Sequence, residues 1–206
     1  PLSPRRIERL KTEVDQRLKE VNRQMSHYQP DSDLSRFNRA PANVPLKVSP
    51  EFASVARQAL ELNGASEGAF DPTLGPVIDV WGFGPMTDVH AVPSEVKLRE
   101  AMQNTGCWHL SVTANDELVK DIPDLRLNLS SLVKGFGSDE MGRRLRAHGL
   151  TNFYVAIGGD VFTSGHNARG QKWQVGISAP VLDWAHGDPV AAVLALSNQA
   201  VSTSGD

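Results

Sequence analysis

The chain has 206 residues, of which 40% are hydrophobic and 22% are charged, and its net charge is -3. This length and composition allow one large domain or two small ones, with enough apolar side chains for a real core. The slightly acidic balance argues against a nucleic-acid-binding protein, which needs a basic surface. No run of eighteen apolar residues is long enough to span a membrane, and the single Cys107 excludes an internal disulfide.

Four helices are predicted from apolar residues at steps of three and four and from capping residues at the helix ends. Their expected ranges are 4–25, 50–63, 95–104 and 131–149. Ser49 is the expected N-cap of the second helix, and Gly149 ends the fourth. Residues 26–48, which carry several prolines, are predicted to be irregular.

The hydrophobic period changes to two in the second half of the chain, where short strands are predicted. Their expected ranges are 108–113, 117–121, 125–129, 153–157, 161–165, 172–177, 191–197 and 199–204. Helices come early and strands cluster late. This order predicts an α+β fold with a central, mostly antiparallel sheet flanked by helices, formed as a single domain over residues 1–206.

Four segments fit neither a core strand nor a solvated helix. They are MSHYQPDSDLSRFN (25–38), GAFDPTLGPVIDVWGFGP (68–85), LNLSSLVKGFGSD (127–139) and AIGGDVFTSG (156–165). The first offers the aromatic rings of Tyr28 and Phe37 among small polar side chains, a mixture that suits a flat heteroaromatic ligand. The alternative is a loop packed by its own side chains.

The last two segments each allow two interpretations. Lys134 and Gly135 lie in the first turns of a helix, where free N–H groups and the helix dipole favour an anion or nucleotide; the alternative is a capped helix with an exposed lysine. Gly158, Gly159 and Asp160 form either a tight hairpin or a loop with room for a ligand. None of the six histidines has the spacing of a metal-binding pair, so no histidine is assigned a role.

Taken together, the four segments resemble the motifs of one family, the ApbE family of FAD:protein FMN transferases from bacterial envelopes. The first segment is similar to that family's MSTY and LSRFN motif and the second to its GAFD and WGFG motif. The third is similar to its LS and KG motif, and the fourth to its GGD motif. KWQVGISAP (172–180) and AVSTSGD (200–206) resemble two further motifs. The six motifs stand in the family's order and span nearly the whole chain.

The resemblance implies an α+β fold and a defined reaction. An enzyme of this family binds FAD and Mg²⁺, moves the FMN half onto a threonine or serine hydroxyl of a target flavoprotein subunit, and releases AMP. The target is a flavin-accepting subunit of a respiratory or electron-transfer complex. Two alternatives remain open: a Mg²⁺-dependent FAD pyrophosphatase that yields FMN and AMP, and a non-catalytic flavin-binding protein of the envelope. The implied location is the bacterial periplasm, where an N-terminal lipid anchor outside this chain would hold an inner-membrane lipoprotein.

The resemblance also assigns residues. It implies FAD contacts at Tyr28, Ala69, Phe70, Asp71, Asn128 and Lys134. Tyr28 is expected to stack on the nucleotide and Lys134 to approach the phosphates, while Ser131 offers its main-chain carbonyl to Mg²⁺. No catalytic residue is assigned, and Asp79 is expected to be structural.

Two departures from the family pattern shape these expectations. The family commonly has aspartate where this chain has Asn128, and an amide cannot carry the same charge. The remaining Mg²⁺ ligands are expected beyond Asp206, which makes residues 1–206 an FAD-binding domain incomplete at both ends. We therefore expect this polypeptide alone to be inactive and its parent protein to be an active transferase.

Overall fold

The computed structural model describes residues 2–84, 92–179 and 189–204. Parts of the motifs named above lie outside the described residues, namely Pro85, Pro180, Gly205 and Asp206, and so do two histidines, His90 and His186. The helices are α1 Pro4–Met25, α2 Asp33–Arg39, α3 Pro50–Ala65, α4 Gly75–Val80, α5 Glu95–Met102 and α6 Ser130–Ala147. The strands are β1 Leu46–Lys47, β2 Leu110–Val112, β3 Glu117–Lys120, β4 Phe153–Ile157, β5 Asp160–Ser164, β6 Trp173–Ser178, β7 Val190–Leu196 and β8 Ala200–Val201.

The chain folds into two compact units. One unit comprises Leu18–Val133, and the other comprises Pro1–Arg17 together with Lys134–Asp206. Helices α1 and α6 each contribute residues to both units.

The Leu18–Val133 unit combines helices with a small antiparallel sheet in the order β1-β3-β2. Helix α3 begins at Ser49, whose side chain accepts a hydrogen bond from the Phe52 N–H, and Pro50 fills the first helical position. The most deeply buried side chains of this unit include Met25, Leu34, Phe37, Phe52, Leu118, Leu125, Leu127 and Leu129.

The other unit is built on β-hairpins. Strands β4 and β5 pair antiparallel around Gly158 and Gly159, whose φ angles of +55° and +92° suit a two-residue hairpin turn. Strand β8 pairs with β5, and β6 pairs with β7. Within this unit Gly142 of α6 lets the helix approach Phe162, since a Cβ at that position would lie 2.4 Å from the phenyl ring.

The α+β class and the antiparallel pairing are confirmed, and the strands of the described residues are distributed over three small sheets. The strand predicted over 125–129 is wrong. This segment makes only an isolated parallel bridge from Arg126 to Leu74. The side-chain amide of Asn38 takes both the N–H and the C=O of Leu127, so a neighbouring strand has no access to them.

Two short helices were not predicted. Helix α2 lies inside the segment expected to be irregular, where the Ser32 side chain caps it by accepting from the Ser35 N–H. Helix α4 lies inside the GAFDPTLGPVIDVWGFGP segment. Both are a few residues long. Helix α2 lies between Pro30 and Pro41, and helix α4 begins with Gly75-Pro76, and such residues favour the prediction of turns. Within the described residues, no helix combines the length and apolarity that crossing a membrane requires.

Candidate functional site

A cleft of about 380 Å³ opens in the Leu18–Val133 unit. Three chain segments line it: the polar segment that carries His27, Tyr28 and Asn38, helix α4 with Gly75 and Asp79, and the extended residues 126–128. Its volume falls within the range of small-molecule sites in proteins. The cleft therefore joins parts of three of the four segments that stand out in the sequence.

The side chains of Asn38 and Lys120 hold the floor of the cleft through hydrogen bonds to main-chain groups. The Asn38 amide donates to the Leu127 carbonyl at 3.0 Å and accepts from the Leu127 N–H at 2.8 Å. Behind it, Lys120 Nζ donates to the carbonyl oxygens of Asn38, Pro123 and Leu125 at 3.0, 2.7 and 3.0 Å. Lys120 is 1% exposed, and its burial lowers its pKa to about 8.

One wall of the cleft is formed by α4 against Arg126. Gly75 and Asp79 are four residues apart and therefore lie on the same helix face. Gly75 lies against the Arg126 main chain, and Asp79 Oδ2 forms an ion pair with Arg126 Nη1 at 2.6 Å. Burial raises the pKa of Asp79, while the charges of Arg126 and His27 oppose that rise.

Two aromatic rings stand at the mouth of the cleft. The rings of His27 and Tyr28 have centroids 4.0 Å apart, and Tyr28 is 71% exposed. His27 Nδ1 lies 3.3 Å from Ser130 Oγ. Burial lowers the pKa of His27, with the nearby Asp79 charge opposing it, so the neutral imidazole predominates at pH 7. The cleft thus offers the Asp79–Arg126 ion pair, the guanidinium of Arg39 and two aromatic faces.

Asn128 lies at the cleft where α6 begins. Its Oδ1 accepts from the Ser130 N–H at 3.0 Å, and its own N–H donates to the Pro72 carbonyl at 2.8 Å. The amide therefore satisfies one of the free N–H groups in the first turn of the helix.

We expect Asn128→Asp to raise the free energy of unfolding by about 0.5 kcal/mol at pH 7, because a carboxylate interacts more favourably with the start of a helix than an amide does. Urea denaturation monitored by circular dichroism measures this change. Asn43→Asp adds the same charge at an exposed turn residue and serves as the control. Equal effects of the two substitutions would contradict the capping geometry.

Asp71 belongs to a hydrogen-bond network outside the lining of the cleft. Its Oδ1 accepts from the N–H and the hydroxyl of Thr73 at 2.7 and 2.6 Å. The Thr73 hydroxyl in turn accepts from the Gly106 N–H at 2.6 Å. The Cys107 thiol lies 3.4 Å from Asp71 Oδ1, and burial, reinforced by Asp71, raises the pKa of that thiol to about 12. This carboxylate therefore fixes the turn that leads into α4.

Ala69 and Phe70 are held by the same kind of local contact. The Ala69 N–H donates to the Ser66 carbonyl, and the Phe70 N–H donates to the Ser66 hydroxyl. The Asn63 amide donates to the Phe70 carbonyl at 2.7 Å. Of the FAD contacts that the resemblance implies, the cleft brings together Tyr28 and Asn128, whereas residues 69–71 form a separate turn.

Lys134 lies in the other unit, beside the Gly158-Gly159 turn. Its Nζ is 3.2 Å from the Gly158 carbonyl and 3.9 Å from Asp160 Oδ1. Asp160 is buried and accepts from the Ser202 hydroxyl at 2.6 Å. A Cβ at Gly158 would lie 2.8 Å from the Lys134 side chain. The absence of a side chain at Gly158 therefore leaves room for the lysine. The hairpin interpretation of residues 156–165 is confirmed. The partly exposed ammonium group of Lys134 lies beside the hairpin turn.

The magnesium assignment stays a prediction. Ser131 is exposed in the first turn of α6. Among the residues that the structure describes, no group of three or more His, Cys, Asp or Glu side chains is placed to hold a metal ion.

Sequence reasoning missed His27, Asp79 and Arg126 as cleft residues. A signal existed for Arg126, because Leu125, Leu127 and Leu129 are buried and the alternation directs the residues between them to the opposite face. The spacing of four between Gly75 and Asp79 was also visible. The sequence does not reveal that the α4 face with Gly75 and Asp79 packs against Arg126.

Comparisons with known proteins bear on this arrangement. The sequence model of the ApbE family matches residues 3–206. The FAD:protein FMN transferase of Vibrio cholerae is 40% identical over 197 residues, which cover 96% of this chain and 58% of the relative. The enzyme of the same name from Haemophilus influenzae is 37% identical over 203 residues, covering 97% and 58%. This chain therefore spans less than two thirds of the length of these curated relatives.

Solved structures of flavin transferases are also similar to this chain. The flavin transferase ApbE from Vibrio cholerae superposes with a TM-score of 0.88 at 39% identity, covering 97% of this chain and 63% of that one. The apo flavinyl transferase ApbE of Pseudomonas stutzeri superposes with a TM-score of 0.85 at 34% identity, covering 97% and 60%.

Proposed function

Because this chain belongs to the ApbE family, we propose that it binds FAD and serves the transfer of FMN from FAD to a threonine or serine hydroxyl of a target protein. The relatives of known name are FAD:protein FMN transferases. Since the chain spans 58% of their length, the complete reaction, its substrates and its partners are part of the proposal. We also propose, as the resemblance implies, that residues 1–206 form a single FAD-binding domain.

The observation that carries the proposal is the composition of the cleft. It combines the exposed ring of Tyr28, the imidazole of His27 and the Asp79–Arg126 ion pair in one space of about 380 Å³. Flat heteroaromatic ligands are bound by such aromatic faces and a small number of oriented polar groups. Lys134 belongs to the other unit, beside the Gly158-Gly159 turn, and its approach to the FAD phosphates is proposed from the family resemblance alone.

The proposed reaction is a phosphoryl transfer. The acceptor hydroxyl oxygen forms a bond to the phosphorus of the FMN half, the pyrophosphate bond breaks, AMP leaves with the bridging oxygen, and the hydroxyl proton is released. Bound Mg²⁺ would neutralise charge on the two phosphates, with the Ser131 carbonyl as one proposed donor.

Partner and location follow from the resemblance alone. We propose as acceptor a flavin-carrying subunit of a respiratory or electron-transfer complex. We propose as location the bacterial periplasm, with the protein held as a lipoprotein at the inner membrane.

The test is a transfer assay. The purified full-length parent protein, rather than residues 1–206 alone, is incubated with FAD, MgCl₂ and a candidate flavoprotein subunit, and covalent flavin is detected by fluorescence after denaturing electrophoresis. We expect labelling that disappears when EDTA is added or when the acceptor hydroxyl is replaced by alanine. Free FMN and AMP without labelling would instead identify a pyrophosphatase. Tight FAD binding without turnover would identify a flavin-binding protein, and either result would overturn the transfer proposal.

A further inference from the structure

We propose that the Asp79–Arg126 pair recognises the hydrogen-bonding edge of a heteroaromatic ring of FAD in the cleft and thereby determines which ring system binds there. This inference rests on the proposed function, in that FAD is taken as the ligand. It assigns a recognition role to two residues that the family motifs quoted above leave without one.

The main chain fixes where the pair stands. Residues 125–127 run past the start of α4, joined to it by the parallel bridge between Leu74 and Arg126. Gly75 makes this approach possible, because a Cβ there would lie 2.6 Å from the Arg126 carbonyl oxygen. One helical turn later Asp79 faces the same side and meets the Arg126 guanidinium at 2.6 Å. The position of the pair is therefore set by backbone packing as well as by side-chain rotamers.

The pair is embedded in the cleft wall more firmly than an ordinary surface ion pair. The Asp79 side chain is 20% exposed and the Arg126 side chain 45% exposed, and both line the cleft. Exposed ion pairs contribute little and are mobile, whereas a half-buried carboxylate needs a defined partner. Asp79 therefore holds one end of the guanidinium in place while the rest of it borders the open space.

The chemistry of the pair matches a ring edge with alternating groups. A guanidinium carries five N–H donors in a rigid fork, so the end not engaged by Asp79 can donate into the cleft. The neighbouring carboxylate accepts hydrogen bonds only. Together they present a donor beside an acceptor, with Tyr28 and His27 nearby to stack on a ring.

Both heterocycles of FAD have an edge of this kind. The pyrimidine-dione edge of the flavin alternates carbonyl, N3–H and carbonyl, and adenine offers the N1 acceptor beside its 6-amino donor. Ribityl hydroxyls and phosphates lack this fixed planar alternation. The shared chemistry is therefore a planar donor–acceptor edge, and the experiment decides which ring supplies it.

The experiment measures affinities of ring fragments and their edge-methylated forms by isothermal titration calorimetry. The probes are riboflavin and N3-methylriboflavin for the flavin edge, and adenosine and N6,N6-dimethyladenosine for the adenine edge. Wild-type protein is expected to bind one parent compound about 10-fold or more tighter than its methylated form, consistent with one strong hydrogen bond to a charged group. The compound that shows this difference identifies the ring.

Two variants test whether the Asp79–Arg126 pair causes the difference in affinity between the parent and methylated compounds. We expect Arg126→Met to weaken binding of the recognised ring by about 10- to 100-fold, the range of a good bidentate contact. Asp79→Asn is expected to reduce the discrimination against the methylated compound, because the amide can turn its N–H₂ toward the ring. Arg36→Met removes an equal charge at an exposed residue of the same unit that pairs with Asp33 and is expected to leave all affinities unchanged.

The outcomes separate this inference from the proposed function. If wild-type protein binds FAD but discriminates against neither methylated compound, or if Arg126→Met and Arg36→Met bind alike, the recognition role is overturned while FAD binding stands. If wild-type protein binds neither FAD nor any fragment, the proposed function fails and this inference fails with it. Unchanged circular dichroism and unfolding midpoints of the variants ensure that lost affinity is not lost folding.

Discussion

Replacing Lys120 with methionine is expected to lower the free energy of unfolding by about 3–5 kcal/mol, because three buried carbonyls would lose their donor and each costs about 1–3 kcal/mol when left unpaired. These are the carbonyls of Asn38, Pro123 and Leu125, at 2.7 to 3.0 Å from Nζ. Methionine fills the volume of the stem beside Phe37, so the loss reports the hydrogen bonds. Urea denaturation of both proteins measures it.

The same lysine gives a pH dependence with a definite sign. Burial lowers its pKa to about 8 in the folded protein, whereas an unfolded chain keeps the ordinary value of about 10.4. Between these values the unfolded state binds a proton that the folded state does not, so this group stabilises the fold increasingly as pH rises from 8. The stability difference between wild type and Lys120→Met should therefore widen from about pH 8 to about pH 10.

Lys11 supplies the control for both measurements. It is exposed and pairs with Glu8 on the surface of α1, so Lys11→Met is expected to change the unfolding free energy by less than about 0.5 kcal/mol. A loss as small for Lys120→Met would show that the ammonium does not support the cleft floor. A difference from wild type that narrows above pH 8 would instead contradict the lowered pKa, because it would mean that deprotonation costs the folded state stability.

Much of the fold was predictable because it follows from local chemistry. The serines that precede α3 and α5 accept from the third N–H along, as N-caps do, and Gly149 ends α6 with a φ of +74°. Strands β4 and β6 alternate in burial with a period of two, whereas β5 and β7 do not. The failure at 125–129 has a tertiary cause, since the Asn38 amide occupies the hydrogen-bonding groups that a strand partner would use.

The site was predictable only in part. Tyr28 and Asn128 were identified by their motifs and do line the cleft. Asp79 borders the cleft in an ion pair with Arg126, and the expectation that its role is structural stays a prediction. Lys120 could not be recognised at all. Alternation with Leu118 predicts a buried position for it, but nothing nearby in sequence reveals that carbonyls from separate segments surround its ammonium.

The second large effect is expected at Gly75. Valine at this position would place a Cβ 2.6 Å from the Arg126 carbonyl oxygen and 3.0 Å from its carbonyl carbon, and main-chain atoms cannot rotate away as a flexible side chain can. Overpacking of this kind costs about 1–3 kcal/mol and occasionally more. We expect Gly75→Val to lie at the upper end, because the Leu74–Arg126 bridge would also be lost. Urea denaturation measures the change.

This substitution should also separate Asp79 from Arg126, since the two contacts share one helix face. Ring discrimination in the cleft would then fall together with stability. Gly64→Val is the matched control. Gly64 lies near the end of α3, where an added Cβ would meet no atom within 4 Å. The free energy of unfolding of this variant is expected to stay within about 0.5 kcal/mol of wild type. Equal losses at Gly64 and Gly75 would mean that helix propensity, and not the close approach to Arg126, determines the effect.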